Sequence, residues 1–148
     1  DGLTGNIEVG YGSRDYADVR LPDLRGLVVN GSLNIEANES LAFDLSLGTT
    51  FAGQSQAGVS GSVAYNAGVG ATWSVRDNLD LNIAADVSRT RYSNGERDVN
   101  LNASLGADYW FNPYVGLTGE VSRTKLISTR VGAAYSATNI ELGVKLRH

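Results

Sequence analysis

The sequence predicts an all-β fold, an eight-stranded antiparallel up-and-down transmembrane β-barrel, and three observations support this prediction. Apolar and polar residues alternate along most of the chain, with the period of two that is typical of strands. The apolar positions of the alternating segments hold no Asp or Glu, as expected of a face turned toward hydrocarbon. A sheet in lipid must also close on itself, because an open edge leaves backbone N–H and C=O groups unpaired.

Each predicted strand is an alternating segment bounded by a turn or a longer loop. The clearest example has Leu27, Leu33 and Ile35 at odd positions, with Asn34 and Glu36 at even ones. In chain order, the eight predicted strands are residues 3–14, 26–37, 41–52, 63–75, 79–92, 98–111, 114–125 and 138–147.

The connections between these segments alternate in length. Residues 38–40, 76–78 and 112–113 are short links of turn-forming residues, whereas 15–25, 53–62, 93–97 and 126–137 are longer. This alternation predicts an up-and-down barrel whose short turns and termini face the periplasm. The apolar residues alternate on odd positions at Val131, Ala133 and Tyr135 but on even positions at Ile140, Leu142 and Val144. We therefore expect either a bulge between the two sets or a loop over 126–137.

The composition excludes several classes of function. The chain has 148 residues, which favours one domain over residues 1–148, and it contains no Cys, no Met and one His. Thiol chemistry is therefore absent, and we expect neither a metal site nor a cofactor. The net charge of −4 argues against a nucleic-acid partner, and the mean hydropathy of −0.15 against a membrane-spanning helix. Because the chain lacks an initiator Met and a leader pattern, we expect a mature or engineered form.

Sorting the residues by parity gives the two faces. On the polar, lumen-facing side we expect a network of charged residues, namely Glu8, Arg14, Asp44, Asp86, Asp108, Glu120, Glu141, Lys145 and Arg147. On the lipid side the large aromatics form two bands, with Phe43, Trp73, Tyr109 and Phe111 near the short turns and Tyr11, Phe51 and Tyr65 nearer the long loops. Two aromatic bands that flank an aliphatic zone are typical of membrane interfaces.

The C-terminal residues carry a resemblance to a known class of proteins. Residues 141–148 resemble the assembly signal of small bacterial outer-membrane barrels of the OmpA and OmpX kind, with His148 where Phe is usual. The resemblance implies a bacterial outer-membrane location and contact between the last strand and the assembly machinery. Residues 10–16 and 20–24 are similar to a strand and loop of β-barrel porins found near exopolysaccharide export genes.

Four basic residues break the rule of an uncharged lipid face. Arg89, Arg91, Arg123 and Lys125 have lipid-facing parity at the long-loop ends of their strands. Lipopolysaccharide phosphates lie at that depth, and arginine binds phosphate in a bidentate manner. We therefore predict lipid-phosphate contact at these positions, with solvated strand ends as the alternative.

No catalytic constellation is evident. The lipid A deacylases that use this architecture need a His beside a Ser, but His148 stands alone at the opposite, periplasmic end. The sequence predicts a non-enzymatic, monomeric outer-membrane barrel with a structural or adhesion-type role. One alternative is a narrow cation-preferring pore, since many inward residues are small and the lining is acid-rich. The other is a soluble lipocalin-like barrel that binds a ligand on its apolar face.

Overall fold

A computed structural model describes residues 2–15, 23–53 and 61–147 of the chain. The described residues form eight strands: β1 Gly2–Arg14, β2 Leu24–Asn38, β3 Leu41–Gly53, β4 Gly61–Arg76, β5 Leu79–Tyr92, β6 Arg97–Trp110, β7 Val115–Ser128 and β8 Tyr135–Leu146. No helix within these ranges is long and apolar enough to cross a membrane.

The eight strands belong to one antiparallel sheet in the order β1-β2-β3-β4-β5-β6-β7-β8. Each strand pairs with the next along the chain, which confirms the predicted all-β, up-and-down topology. Among the described residues β1 and β8 each pair on one side only, so they form the two edges of an open sheet.

The short turns contain the residues that the sequence pattern indicated. In the first, the Asn38 side chain accepts a hydrogen bond from the Ser40 backbone N–H at 2.9 Å. In the turn after β6, the Asn112 side chain accepts bonds from the N–H groups of Tyr114 and Val115, both at 2.9 Å. These side-chain bonds replace the ladder partners that the backbone loses where each hairpin reverses.

The segment 126–137 differs from the prediction at both of its ends. β7 continues to Ser128 and β8 begins at Tyr135, with Tyr135 opposite Leu126 and no shift of register between the two strands. The predicted bulge is therefore absent, and the loop is confined to residues 129–134. Tyr135 and Ile140 differ in parity because they lie on opposite faces of β8, Tyr135 opposite Leu126 and Ile140 opposite Val121. Within the loop, Gly132 has a φ of 77°.

The sheet has almost no buried core. Its accessible surface is 10043 Å², whereas a compact protein of 15.7 kDa exposes about 7,300 Å². In the described part, only Leu24 and Val63 are buried hydrophobic residues. A soluble lipocalin-like barrel would turn the apolar face inward around a ligand, whereas the open sheet leaves that face exposed.

Candidate membrane interface and polar lumen

The apolar face of the sheet is widely exposed. Leu105 is 55% exposed and Ile83 is 56% exposed, although both lie in the middle of central strands. These residues stand opposite each other in the β5–β6 ladder. No described strand places an Asp or Glu on this face. An exposed apolar face of this extent indicates an apolar environment around it.

A wide groove of about 1110 Å³ follows this face at mid-height and reaches from β1 to β7. Its lining includes the aliphatic residues Leu33, Leu45, Val69 and Leu101, together with Asp86 and Asn102. Arg123 and Lys125 of β7 also line it. The groove thus combines a hydrocarbon-like surface with two cations near the loop end of the sheet.

The four predicted aromatics of the short-turn side lie close to that end of the sheet. Phe43 and Trp73 are two to three residues from the ends of their strands, and Trp73 is 50% exposed. Tyr109 and Phe111 meet edge to face, with ring centroids 5.0 Å apart. The aromatics of this end therefore form a band along the sheet margin.

The aromatics of the long-loop side divide into two kinds. Tyr11 is 72% exposed on the edge strand, whereas Phe51 is only partly exposed. A Cβ added to Gly12 would lie 3.0 Å from the Phe51 ring, and one on Gly26 would lie 2.9 Å from the Tyr65 hydroxyl. Gly12 and Gly26 have lumen-facing parity, so Phe51 and Tyr65 pack against the first hairpin and the predicted separation of two faces does not hold at the loop end of β1 and β2.

The polar face is held together by hydrogen bonds between side chains on neighbouring strands. Thr124 donates to the Asn102 side chain at 3.0 Å, and Thr72 donates to that of Asn82 at 3.2 Å. Carboxylates take part as well, since Asn34 donates to Asp44 at 2.7 Å. Such pairs satisfy polar groups that would otherwise face a barrel interior unpaired.

Some residues of the predicted lumen network are brought together. Lys145 of β8 forms an ion pair with Asp108 of β6 at 2.7 Å across the intervening strand. The Arg147 guanidinium lies 4.6 Å from the centroid of the Trp110 ring. Both contacts lie at the short-turn end, and together they link the last strand to β6.

Other members of the predicted network form no ion pair within the described residues. Glu120 and Glu141 stand directly opposite each other in the β7–β8 ladder, and no ion pair in the described ranges includes either one. Asp86 lies over Gly68, where an added Cβ would be 2.6 Å from its Oδ1. Glu8 is opposite Asn30, and Arg14 is opposite Leu24. The predicted network is therefore a set of separate clusters along the face.

Sequence reasoning missed the most connected polar cluster, which lies at the loop ends of β5, β6 and β7. The buried carboxylate of Asp98 accepts hydrogen bonds from Ser128 Oγ at 2.5 Å and Tyr92 Oη at 3.0 Å. It also forms an ion pair with Arg130, whose guanidinium lies 5.2 Å from the Tyr92 ring centroid. A strand crosses a bilayer in about 9–11 residues, so this cluster at the strand ends lies outside such a span.

The charge of Asp98 is set by these partners. Burial alone would raise the pKa of this carboxyl, but hydrogen bonds from Ser128, Tyr92 and Arg130 together hold the pKa below its ordinary value. Little in the sequence indicated this cluster, because its members lie where the strand pattern stops. Tyr92 is at the end of β5, Asp98 is near the beginning of β6, and Arg130 lies in the segment 126–137.

The four predicted lipid-phosphate residues lie on the apolar face, and a fifth residue joins them. Arg91 stands directly opposite Arg97, and Arg89 directly opposite Val99. Lys125 is opposite Leu101 on the other side of β6. No ion pair within the described part of the chain involves any of these cations. The sequence prediction omitted Arg97 because it lies at the boundary between a loop and a strand.

The chain is similar to a known protein family. Neither the curated proteins nor the solved structures include a match to the sequence. Across residues 2–15, 23–53 and 61–147, no three His, Cys, Asp or Glu side chains come together as metal ligands. A family model described as "Putative beta-barrel porin 2" matches residues 1–148. The eight-stranded sheet with one apolar and one polar face agrees with this match, and the protein belongs to that β-barrel porin family.

Proposed function

We propose that the protein is a monomeric integral barrel of the bacterial outer membrane with a structural role. The apolar face carries this proposal, because it is exposed across the sheet and free of carboxylates in the described strands. Lipid covers such a face without any further protein. The polar face then becomes the interior, which in an eight-stranded barrel is just wide enough for side chains to fill.

The aromatic band at the short turns supports closure of the sheet. Perpendicular to the strands, Phe43 is level with Ile83 of β5, Trp73 with Leu81 and Tyr109 with Leu79. From each strand to the next, the band therefore shifts along the strands by about 1.3 residues. In a closed barrel an interfacial band lies level with the membrane, so the strands must be tilted to bring these aromatics to one level. Over eight strands this offset gives a shear of about 10 and a strand tilt of about 40°, typical of small barrels.

The same offset predicts how the two edges meet. A shear of about 10 places Val9 of β1 opposite Val144 of β8 and Glu8 opposite Lys145. Each face is continuous across this seam, because apolar residues meet apolar ones. Pairing of the two edges removes the unpaired backbone groups that lipid does not tolerate.

Cysteine pairs test this closure, because the chain has no cysteine of its own. In protein folded into detergent, we expect Val9→Cys with Val144→Cys to form a disulfide within one chain. The matched pairs Val9→Cys with Leu142→Cys and Val9→Cys with Leu146→Cys shift the register by two residues in either direction and should crosslink less. Disulfides only between chains, or none at any register, would contradict a closed monomer.

A narrow cation-preferring pore is the second candidate, and Glu120 and Glu141 favour it. These two carboxylates face the same interior with no cationic partner among the described residues, so they would attract mobile cations. Planar-bilayer recordings separate the two functions. The structural barrel predicts no steady conductance, whereas the pore predicts cation-selective steps that fall when both residues become Gln.

A further inference from the structure

We propose that Arg91 and Arg97, assisted by Arg89 and Lys125, bind the phosphate of an anionic membrane lipid. The site would take an amphiphile whose acyl chains lie on the apolar face below the cations. This inference rests on the proposed membrane barrel and names the lipid chemistry that one part of its surface recognises.

The first argument is a pair of like charges in direct opposition. Arg91 and Arg97 are partners in the β5–β6 ladder and lie on the same face, and both are exposed. Like charges directly opposite each other on a sheet are destabilising. An anion bound between the two guanidinium groups reverses this effect, and phosphate fits their paired N–H donors.

The second argument is that nearby carboxylates do not neutralise this pair. Asp98 follows Arg97 in sequence but lies on the other face, where Arg130, Ser128 and Tyr92 surround it. Within the described chain, Glu96 forms no ion pair with either arginine. No carboxylate of the described chain therefore balances the pair, which leaves it free to bind an anion.

Another arginine, outside this group, provides the contrast. Arg25, also near the loop end, lies 3.6 Å from Asp15 and 3.4 Å from Asp23. Its charge is already balanced by its own loop. The cations of β5, β6 and β7 have no such acidic loop partners in the described ranges, so they remain available to a ligand.

The backbone holds Arg97 in place. Its N–H donates to Thr129 Oγ1 at 2.9 Å, and its carbonyl oxygen accepts a bond from the Thr129 N–H at 3.0 Å. Thr129 thus ties the beginning of β6 to the end of β7. A cation on an anchored backbone loses less conformational freedom when it binds an anion.

The depth of the cations in the barrel suits a lipid headgroup. On a line perpendicular to the strands, Arg89 of β5 meets Ile127 of β7. In the tilted barrel, the offset of about 1.3 residues per strand over two strands places Arg89 at the same membrane depth as Lys125. Tyr65 stands opposite Arg89, as an interfacial aromatic does. The aliphatic groove, which Lys125 and Arg123 also line, continues toward mid-membrane and offers a surface for acyl chains.

Binding of diphosphoryl lipid A to the folded protein in neutral detergent tests the site. We compare Arg91→Gln/Arg97→Gln with Arg25→Gln/Arg76→Gln, which removes the same net charge elsewhere. The first variant should lose about tenfold or more in affinity, since two charge-assisted contacts are removed, whereas the second should match the unmutated protein. Dephosphorylated lipid A should bind the unmutated protein as weakly as diphosphoryl lipid A binds the first variant.

Three outcomes would overturn the site. Arg91→Gln/Arg97→Gln could bind lipid A as tightly as the unmutated protein, or the control variant could lose as much affinity. Inorganic phosphate, at the same concentration as the lipid, could also displace lipid A. The third result would assign the pair to free phosphate. Heat-shifted gel mobility of each protein is measured in parallel. If the unmutated chain shows no heat-shifted, folded species in detergent, the membrane barrel itself fails, which is distinct from a folded barrel that does not distinguish the lipids.

Discussion

The two faces of this sheet are organised by different forces. On the apolar face, residues such as Leu105 and Ile83 remain more than half exposed and gain little from one another. On the polar face, Asn34, Asp44, Asn102 and Thr124 are tied across strands by hydrogen bonds. The comparison shows that the protein itself satisfies its polar side, while the apolar side depends on what surrounds it.

This asymmetry explains why alternation is so regular in the sequence. A shift of one residue in any strand would exchange the two faces, placing hydrogen-bonded amides in lipid and aliphatic groups in the lumen. The register of each ladder is therefore strongly specified even though few residues are buried. The experiments below disturb one face or the other, beginning with the largest expected effect.

Arginine substitutions at neighbouring positions test the comparison directly. Leu105→Arg should lower the free energy of unfolding in lipid by about 2–4 kcal/mol, because the charge is placed at mid-membrane. Ser104→Arg, one residue away on the polar face, should cost less because the charge stays inside the lumen. Urea titrations of vesicle-folded protein measure both, and equal losses would contradict the assignment of the faces.

The sequence alone was sufficient for the strands and for their order, because the period of two and the turn residues are local signals. Asn112, for example, marks its turn both in sequence and in structure. Between Leu126 and Tyr135 the sequence left a bulge and a loop open, and the loop is present but shorter than 126–137, because Tyr135 has the opposite parity from the apolar residues of its own strand. The ion pair of Asp108 with Lys145 lies beyond sequence reasoning, because it depends on the register of two successive ladders.

The cluster around Asp98 is the second place to disturb, on the polar face. Asp98→Ala should lower the free energy of unfolding by about 2–3 kcal/mol, since Ser128, Tyr92 and Arg130 lose their shared acceptor. Asp86→Ala is a matched control on the same face, where the carboxylate has no hydrogen-bonded or ionic partner within the described part of the chain. Chemical denaturation compares the two, and an equal effect would show that the cluster adds no stability.

Acidification provides a separate test of this carboxylate. A folded-state pKa below the unfolded one, near 3.9, stabilises the fold above that pH, and the contribution is lost as the pH falls through the lowered pKa. Between pH 5 and 3, the melting temperature of Asp98→Asn should therefore fall less than that of the unmutated protein. Parallel curves for the two proteins would show that Asp98 contributes nothing to acid sensitivity.

Gly116 offers a smaller disturbance at the opposite end of the molecule. A Cβ at this position would lie 2.8 Å from Cε3 of Trp110 and 3.1 Å from the Tyr109 carbonyl oxygen. We expect Gly116→Ala to lower the free energy of unfolding by about 1–2 kcal/mol through this overlap. At Gly48 the nearest atom would be 4.0 Å away, so Gly48→Ala should cause no loss, and similar losses at both glycines would indicate a general glycine effect.

The smallest expected effect concerns Arg147 on the Trp110 ring. The guanidinium lies 4.6 Å from the ring centroid, and the Arg147 N–H donates to the Tyr114 carbonyl at 2.9 Å. Substitution of Arg147 leaves that backbone bond intact, so a double-mutant cycle of Arg147→Gln and Trp110→Leu isolates the interaction of the side chains. We expect a coupling of about 0.5–1 kcal/mol, measured by urea denaturation in detergent. A coupling near zero would mean that, of the two contacts between the last strand and β6, only the Lys145–Asp108 ion pair adds stability. This end of the polar face would then be stabilised by that ion pair and not by the Trp110 ring.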